Sequence, residues 1–283
     1  MTIEENRVIT KNTACLALLG SIALCTGRWA HAEADDYFSP TDDRVRISLG
    51  FMHVSSATTL RADSSAQTQG TTLNGEGEFG LDKSDFEPKF QAIVRVATRQ
   101  RISFDYFTLD RSGDTIVGAT PITFRDTTFE PKDPLQTQLN LHTFGITYEY
   151  SFWHSEKLEI AGTIGVHVTE ISAMAKVETS TRHDIQTDDQ AGPVPTAGVD
   201  AAWSISRRFY LDGRAQYLSV HVNNLDGSLG FYELDALYRY RPNVALGLGY
   251  TVITAHLSSM KSSEAGLFDF STQGPEMFIR VAF

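Results

Sequence analysis

The sequence predicts an all-β protein, a closed antiparallel barrel that crosses a membrane on about ten strands. Three observations carry that expectation. Apolar and polar residues alternate at period 2 from residue 44 to the end, with no helical interlude. The connections between the alternating runs are short and long by turns. The chain ends on Phe283, with Val281, Ile279 and Met277 stepping back from it on one face.

The composition agrees. No stretch approaches the roughly 20 apolar residues that a spanning helix needs, so a helical membrane protein is excluded. The 21 glycines, 17 phenylalanines and 10 tyrosines suit a pleated chain, where aromatic and β-branched side chains pack well. Residues 1–32 read as an export signal. Arg7 and Lys11 precede an apolar run from Ala14 to Cys25, and Ala30-His31-Ala32 supplies a small-x-small cleavage pattern. Both cysteines, Cys15 and Cys25, fall inside that signal, so the expected mature chain carries no disulfide and no thiolate chemistry. The signal takes three basic and two acidic residues with it and leaves a net charge of about −12. Nucleic-acid binding, which needs a basic footprint, is not expected. Residues 33–43 then form a short periplasmic segment, and 44–283 the barrel.

The strands follow in order. Val45, Ile47, Leu49 and Phe51 share a face against Arg46 and Ser48, and Phe90 to Val96 alternate against Lys89, Gln91 and Arg95. Ile102, Phe104 and Tyr106 oppose Ser103 and Asp105, and Phe144 to Tyr150 oppose Thr143, Thr147 and Glu149. Leu158 to Val168 oppose Glu159, Thr163 and His167, and Ala197 to Ile205 oppose Asp200 and Ser204. Phe209 to Tyr217 oppose Asp212, Arg214 and Gln216, and Tyr232 to Tyr240 oppose Glu233, Asp235 and Arg239. Val244 to Val252 oppose Gly247 and Gly249, and Met277 to Phe283 oppose Glu276 and Arg280. Runs of roughly ten residues match a tilted strand crossing a bilayer. The segmentation leaves eight or twelve strands open, and Thr123-Phe124 with Thr128-Phe129 could add a hairpin.

Alternation alone also fits a soluble sandwich. The rhythm of connections favours the barrel. Thr98-Arg99-Gln100, Ser206-Arg207-Arg208 and Arg241-Pro242-Asn243 are short, whereas Ser55–Asp85, Gly113–Thr137 and Glu178–Gly192 are long and polar. Short periplasmic turns and long outer loops place both termini in the periplasm. Phe152, Trp153, Trp203, Phe209, Tyr238 and Tyr240 cluster beside the short turns, as an interfacial aromatic girdle would.

The final strand resembles the closing signal of Gram-negative outer-membrane proteins, carried here by Met277, Ile279, Val281 and Phe283. The resemblance implies recognition by the barrel-assembly machinery, escort by periplasmic chaperones, and contact with outer-membrane lipid and lipopolysaccharide. In pattern and size the chain resembles the small non-porin barrels of the OmpA, OmpX and OmpW type, without a family-defining functional motif.

By parity the lumen receives Arg46, Lys89, Arg95, Arg214, Arg239 and Arg280 with Asp105, Glu149, Glu159, Asp200, Asp212, Glu233, Asp235 and Glu276. Charges enclosed in so narrow a barrel must be paired. The first expectation is a salt-bridged plug, the second a narrow water-filled path.

Catalytic and metal constellations are thin. His53 and Ser55 resemble the His-x-Ser pair of barrel lipid A deacylases, but Ser56-Ala57 stands where an Asn is expected. Glu233 and Asp235, with His221 or His256, resemble part of the set of omptin-type barrel proteases, without its Asp-x-Asp and Asp-x-His pairs. His142, His167, His183, His221 and His256 are scattered, and Asp184, Asp188 and Asp189 read as a solvated loop. The expected function is therefore a non-enzymatic envelope barrel, structural or displaying binding loops to an unidentified surface ligand, with no cofactor. The alternative is a narrow channel for small solutes or apolar compounds.

Overall fold

The computed structural model describes residues 43–64, 69–124, 126–179, 183–222, 225–259 and 266–283. The expected signal, and the segment after it up to residue 42, lie outside the described residues. The strands are β1 (Val45–Ala62), β2 (Leu73–Asn74), β3 (Ser84–Ala97), β4 (Gln100–Ile116), β5 (Ile122–Phe124), β6 (Thr127–Phe129), β7 (Pro134–His154), β8 (Leu158–Glu178), β9 (His183–Ser204), β10 (Phe209–Val222), β11 (Leu225–Arg241), β12 (Val244–Ser259) and β13 (Gly266–Ala282).

Ten of these close into one antiparallel barrel in the order β1-β3-β4-β7-β8-β9-β10-β11-β12-β13, with β13 returning to β1. The seam runs from Arg46 opposite Ala282 to Ala62 opposite Gly266. Phe283 extends it, since its amide donates to Val45 O at 2.9 Å and its carbonyl accepts from the Arg44 amide at 2.7 Å. Closure pairs every barrel strand with two neighbours among the described residues, the requirement for backbone in hydrocarbon.

The exterior identifies the solvent. Ile164, Leu248 and Met277 point outward at 64–70% exposure, whereas inward-facing Arg101 and Glu149 are at most 1% exposed. Exposed Leu49, Phe51, Phe90, Ile146, Val199 and Leu246 continue the apolar face round the wall. A surface this apolar is stable against lipid, not water.

The belt stops at one height. Above Phe51 the outer face of β1 continues with His53 and Ser55; above Phe144, that of β7 continues with His142 and Asn140; above Val168, that of β8 continues with Glu170 and Ser172. The strands do not stop there. β7 and β8 each have 21 residues and β9 has 22. At about 3.3 Å per residue and a tilt near 40°, such a strand rises roughly 50 Å, about twice the apolar band of an outer-membrane barrel. The far half of the wall therefore stands clear of the membrane.

This corrects two expectations. The strands exceed ten residues, and the stretch Glu178–Gly192 is largely strand: β8 runs to Glu178, and β9, from His183, carries Asp184, Asp188 and Asp189. Beyond the belt the outward face is mostly polar, exposed Ile116 and Ile185 apart, so polar residues outside meet a mixed interior and the alternation fades. Of the other long connections, Ser55–Asp85 contains the end of β1 and β2, and Gly113–Thr137 contains β5 paired with β6, from Ile122 opposite Phe129 to Phe124 opposite Thr127.

These two connections fold over the far mouth. Leu73, Phe79 and Leu81 from the first and Val117, Ile122, Phe124 and Phe129 from the second pack on Leu60, Leu109, Leu135, Leu139, Val177 and Phe270. Phe79 and Phe124 meet edge to face at 5.9 Å. Arg111 ties the first connection down, donating to Asp82 O at 2.7 Å, Thr58 Oγ1 at 2.7 Å and Glu76 Oε1 at 2.6 Å.

Candidate functional site: the charged lumen

Inside the belt the lumen is ionic. Arg101, the second residue of β4, reaches across the interior: Nε stands 2.8 Å from Glu149 Oε2, Nη1 donates to Glu159 Oε2 at 3.2 Å, and Nη2 to Asp200 Oδ1 at 2.7 Å. Arg214, on β10, faces the same group and donates to Glu149 Oε1 at 3.0 Å, Asp200 Oδ2 at 3.3 Å and Asp105 Oδ1 at 3.1 Å. Arg95 holds Glu159 with two parallel bonds at 2.9 and 2.7 Å. One connected network thus joins β3, β4, β7, β8, β9 and β10 across the bore.

The remaining lumen charges form two smaller groups. Arg280 donates to Asp212 and, at 2.8 Å, to Ser48 Oγ, with Arg46 3.8 Å from the same aspartate. Arg239 donates to Asp43 at 2.8 Å and to Pro242 O at 2.8 Å, closing the floor beside buried Tyr210, Leu237, Ala245 and Phe278. Higher up, Lys89 donates to Glu276 Oε2 at 2.8 Å and Thr251 Oγ1 at 3.1 Å, and stands 2.9 Å from Glu233 Oε2. Asp235 lies next to this group, with Arg280 Nη2 at 3.8 Å.

All fourteen charged residues placed inside by parity therefore face the lumen, as parity requires. Sequence reasoning missed Arg101, Asp43 and the Arg111 clamp. Arg101 was legible in part: it shares the parity of Ser103 and Asp105, one residue before the run that begins at Ile102.

The space left between these side chains is small. Two interior cavities of about 10 Å³ each lie along the bore, one lined by Ser48, Lys89, Gln91, Glu233 and Glu276, the other by Arg46, Asp200, Asp212, Arg214 and Arg280. Each has room for about one water molecule. Above them Gln216 donates toward Thr147 and Thr163 at 3.4 and 3.3 Å, and the apolar cluster of the far mouth follows.

The other candidates sit elsewhere. Phe152, Trp153, Trp203, Phe209 and Tyr240 are exposed beside the short turns, and the partly buried Tyr238 ring lies 4.9 Å from Phe209. Met277, Ile279 and Phe283 point outward, with Val281 partly covered. His53 and Ser55 share the outer face just above the belt, and the His53 ring rests 4.7 Å from Phe86. His256 pairs with Asp269 on the outer face, so the wall separates it from Glu233 and Asp235. His142 lies 3.6 Å from Asp110, also outside. The His221 side chain lies outside the described residues.

A closed antiparallel barrel with an apolar belt outside and an ionic interior is an outer-membrane β-barrel. One solved structure agrees at the level of fold. No protein-family model matches the chain, and no curated protein matches it. Among solved structures, the outer membrane protease OmpT from Escherichia coli aligns over 89% of this chain and 100% of its own, with a TM-score of 0.53 and 10% identity. The P. putida toluene transporter TodX covers 86% of this chain and 90% of its own (TM-score 0.35, 7% identity). Ail, the attachment invasion locus protein of Yersinia pestis, covers 83% and 97% (TM-score 0.33, 8% identity).

Proposed function

We propose that this protein is a non-conducting, non-enzymatic barrel of the Gram-negative outer membrane that carries a β-walled recognition platform on the outer surface. One observation bears most of the weight: the Arg101–Glu149–Glu159–Asp200–Arg214 network spans the bore at membrane height, with cavities no larger than a water beside it. A buried, paired network of this kind leaves no aqueous file for ions. The wall beyond the belt then has a role other than transport. Its outer face carries Asp110, Glu170, Asp189 and Asp269, which favours a cationic partner. The turn end carries exposed Arg44, Arg99, Lys157, Arg207, Arg208 and Arg241.

In this reading the short turns and both termini face the periplasm, residues 1–32 are removed on export, and the last strand is read by the barrel-assembly machinery after escort by periplasmic chaperones. Lipopolysaccharide and outer-membrane lipid surround the belt. The test is single-channel recording of the refolded protein in a planar bilayer, with heat-modifiable migration as proof of folding. Silence is expected; steady current steps from folded protein would replace this reading with the channel.

A second reading, binding or passage of apolar compounds, draws on Ile171, Ala173, Ile253, Ala255 and Leu257, which line the upper lumen and are only partly buried. It predicts saturable quenching or enhancement of an apolar fluorophore that Ile253→Asp abolishes.

A further inference from the structure

The ionic lumen has its largest local imbalance beside Asp235. Glu233, Asp235 and Glu276 each offer a carboxylate oxygen within 4.8 Å of the others. Lys89 serves Glu233 and Glu276. Asp235 is 1% exposed, and neither of its oxygens has a hydrogen-bond partner. Its nearest cation, Arg280 at 3.8 Å, is already bonded to Asp212 and Ser48. Three carboxylates thus share one ammonium, and the adjoining group, in which Arg280 and Arg46 share Asp212, has one cation to spare and offsets only part of that excess. Such an excess is costly to bury.

The backbone opposite is shaped around these oxygens. Gly249 on β12 lies across from Asp235, and a Cβ there would stand 1.9 Å from Asp235 Oδ1 and 3.0 Å from Glu276 Oε1. A cavity of about 10 Å³ adjoins, lined by Lys89, Gln91, Glu233 and Glu276. Space, oxygen ligands, an unpaired buried carboxylate and a local excess of negative charge coincide at one point.

We propose that Glu233, Asp235 and Glu276 hold one divalent cation of the hard, oxygen-seeking kind, calcium above magnesium. Calcium accepts irregular sets of carboxylate oxygens, whereas magnesium demands near-octahedral order and keeps its waters. The ion offsets the carboxylate excess beside Lys89 and pins β11 to β13, the strand that closes the barrel on β1. Gln91 and Thr251, which line the same level, leave room for a bound water in the remaining coordination.

The full chain, refolded after EDTA treatment, is tested by equilibrium dialysis against radioactive calcium and by thermal unfolding with and without the ion. One calcium per barrel is expected beyond what Asp235→Asn retains, with affinity about tenfold or more weaker in that isostere. Calcium should raise the unfolding temperature of the wild type and leave Asp235→Asn unmoved. Gly249→Ala, which keeps every charge but fills the space, should lose the ion as well. Equal binding by wild type and Asp235→Asn would overturn the proposal and assign the ion to the acidic outer wall. No bound ion at millimolar calcium would also overturn it. So would an Asp235→Asn barrel that is stabilised whether or not calcium is present, because Asp235 would then be carrying a proton.

Discussion

The two halves of the barrel are built inside out with respect to each other. In the half that carries the short turns, the outer face is Leu, Ile, Val and aromatic, and the inner face is Arg, Glu and Asp. In the far half the outer face is His, Ser, Asp and Glu, and the inner face packs Leu60, Leu109, Leu139, Phe129 and Phe270. The same strands make both. The far half obeys the rule for proteins in water, where apolar burial provides the main driving force. The near half is surrounded by hydrocarbon, so apolar burial inside would gain little, and polar pairing fills the lumen instead. The crossover, near His53 on β1 and His142 on β7, marks where lipid gives way to water.

The largest expected effect comes from breaking the near half. Arg101→Met removes the cation shared by Glu149, Glu159 and Asp200 and leaves three buried carboxylates short of a partner. A loss of about 3–5 kcal/mol is expected, with current flicker in bilayers. Urea unfolding of the refolded protein measures the first, and unchanged stability would mean that the network contributes nothing there. In the far half, Leu139→Ala opens a cavity in an apolar core and should cost about 3 kcal/mol. Hydrogen exchange should place that loss in β7 and the two mouth connections, with the ionic lumen still protected.

A matched pair of outward substitutions sharpens the boundary itself. Leu248→Arg, in the belt, should cost about 2–3 kcal/mol, as a charge facing lipid does. Thr254→Arg, six register pairs further along the same face of β12, should stay within about 0.5 kcal/mol. Equal costs for the two would place the crossover at the wrong height. The smallest expected effect is that of His53→Ala, which should leave stability and any lipid A deacylation unchanged. A deacylase activity lost in this variant would make the barrel an enzyme.

How much of this was legible in the sequence differs between the halves. In the near half the chemistry alternates sharply, so parity alone placed Arg214, Glu149 and Asp200 inside and Leu248 and Met277 outside. At the start of β9, in the far half, polar residues stand on both faces, so Asp184 to Asp189 read as a loop although they form strand. Partners were not legible in either half. Arg101 meets Glu149, Glu159 and Asp200 from three other strands, and no local pattern links them. The apolar lid was equally hidden, since Phe79, Phe124 and Phe129 sit in polar connections and acquire meaning only where they land.

While barrel closure fixed the strand count at ten, the sequence by itself determined the alternating-strand architecture, the face of each residue within the belt and the closing role of the last strand. Those properties are local, because a pleated strand sends successive side chains to opposite sides and a bilayer enforces the contrast. Only the tertiary structure decided which charges pair, how far the wall continues beyond the lipid and whether the bore is filled. Those depend on barrel closure, which sets residues from distant strands within hydrogen-bond reach and makes the interior too narrow for anything but their own side chains.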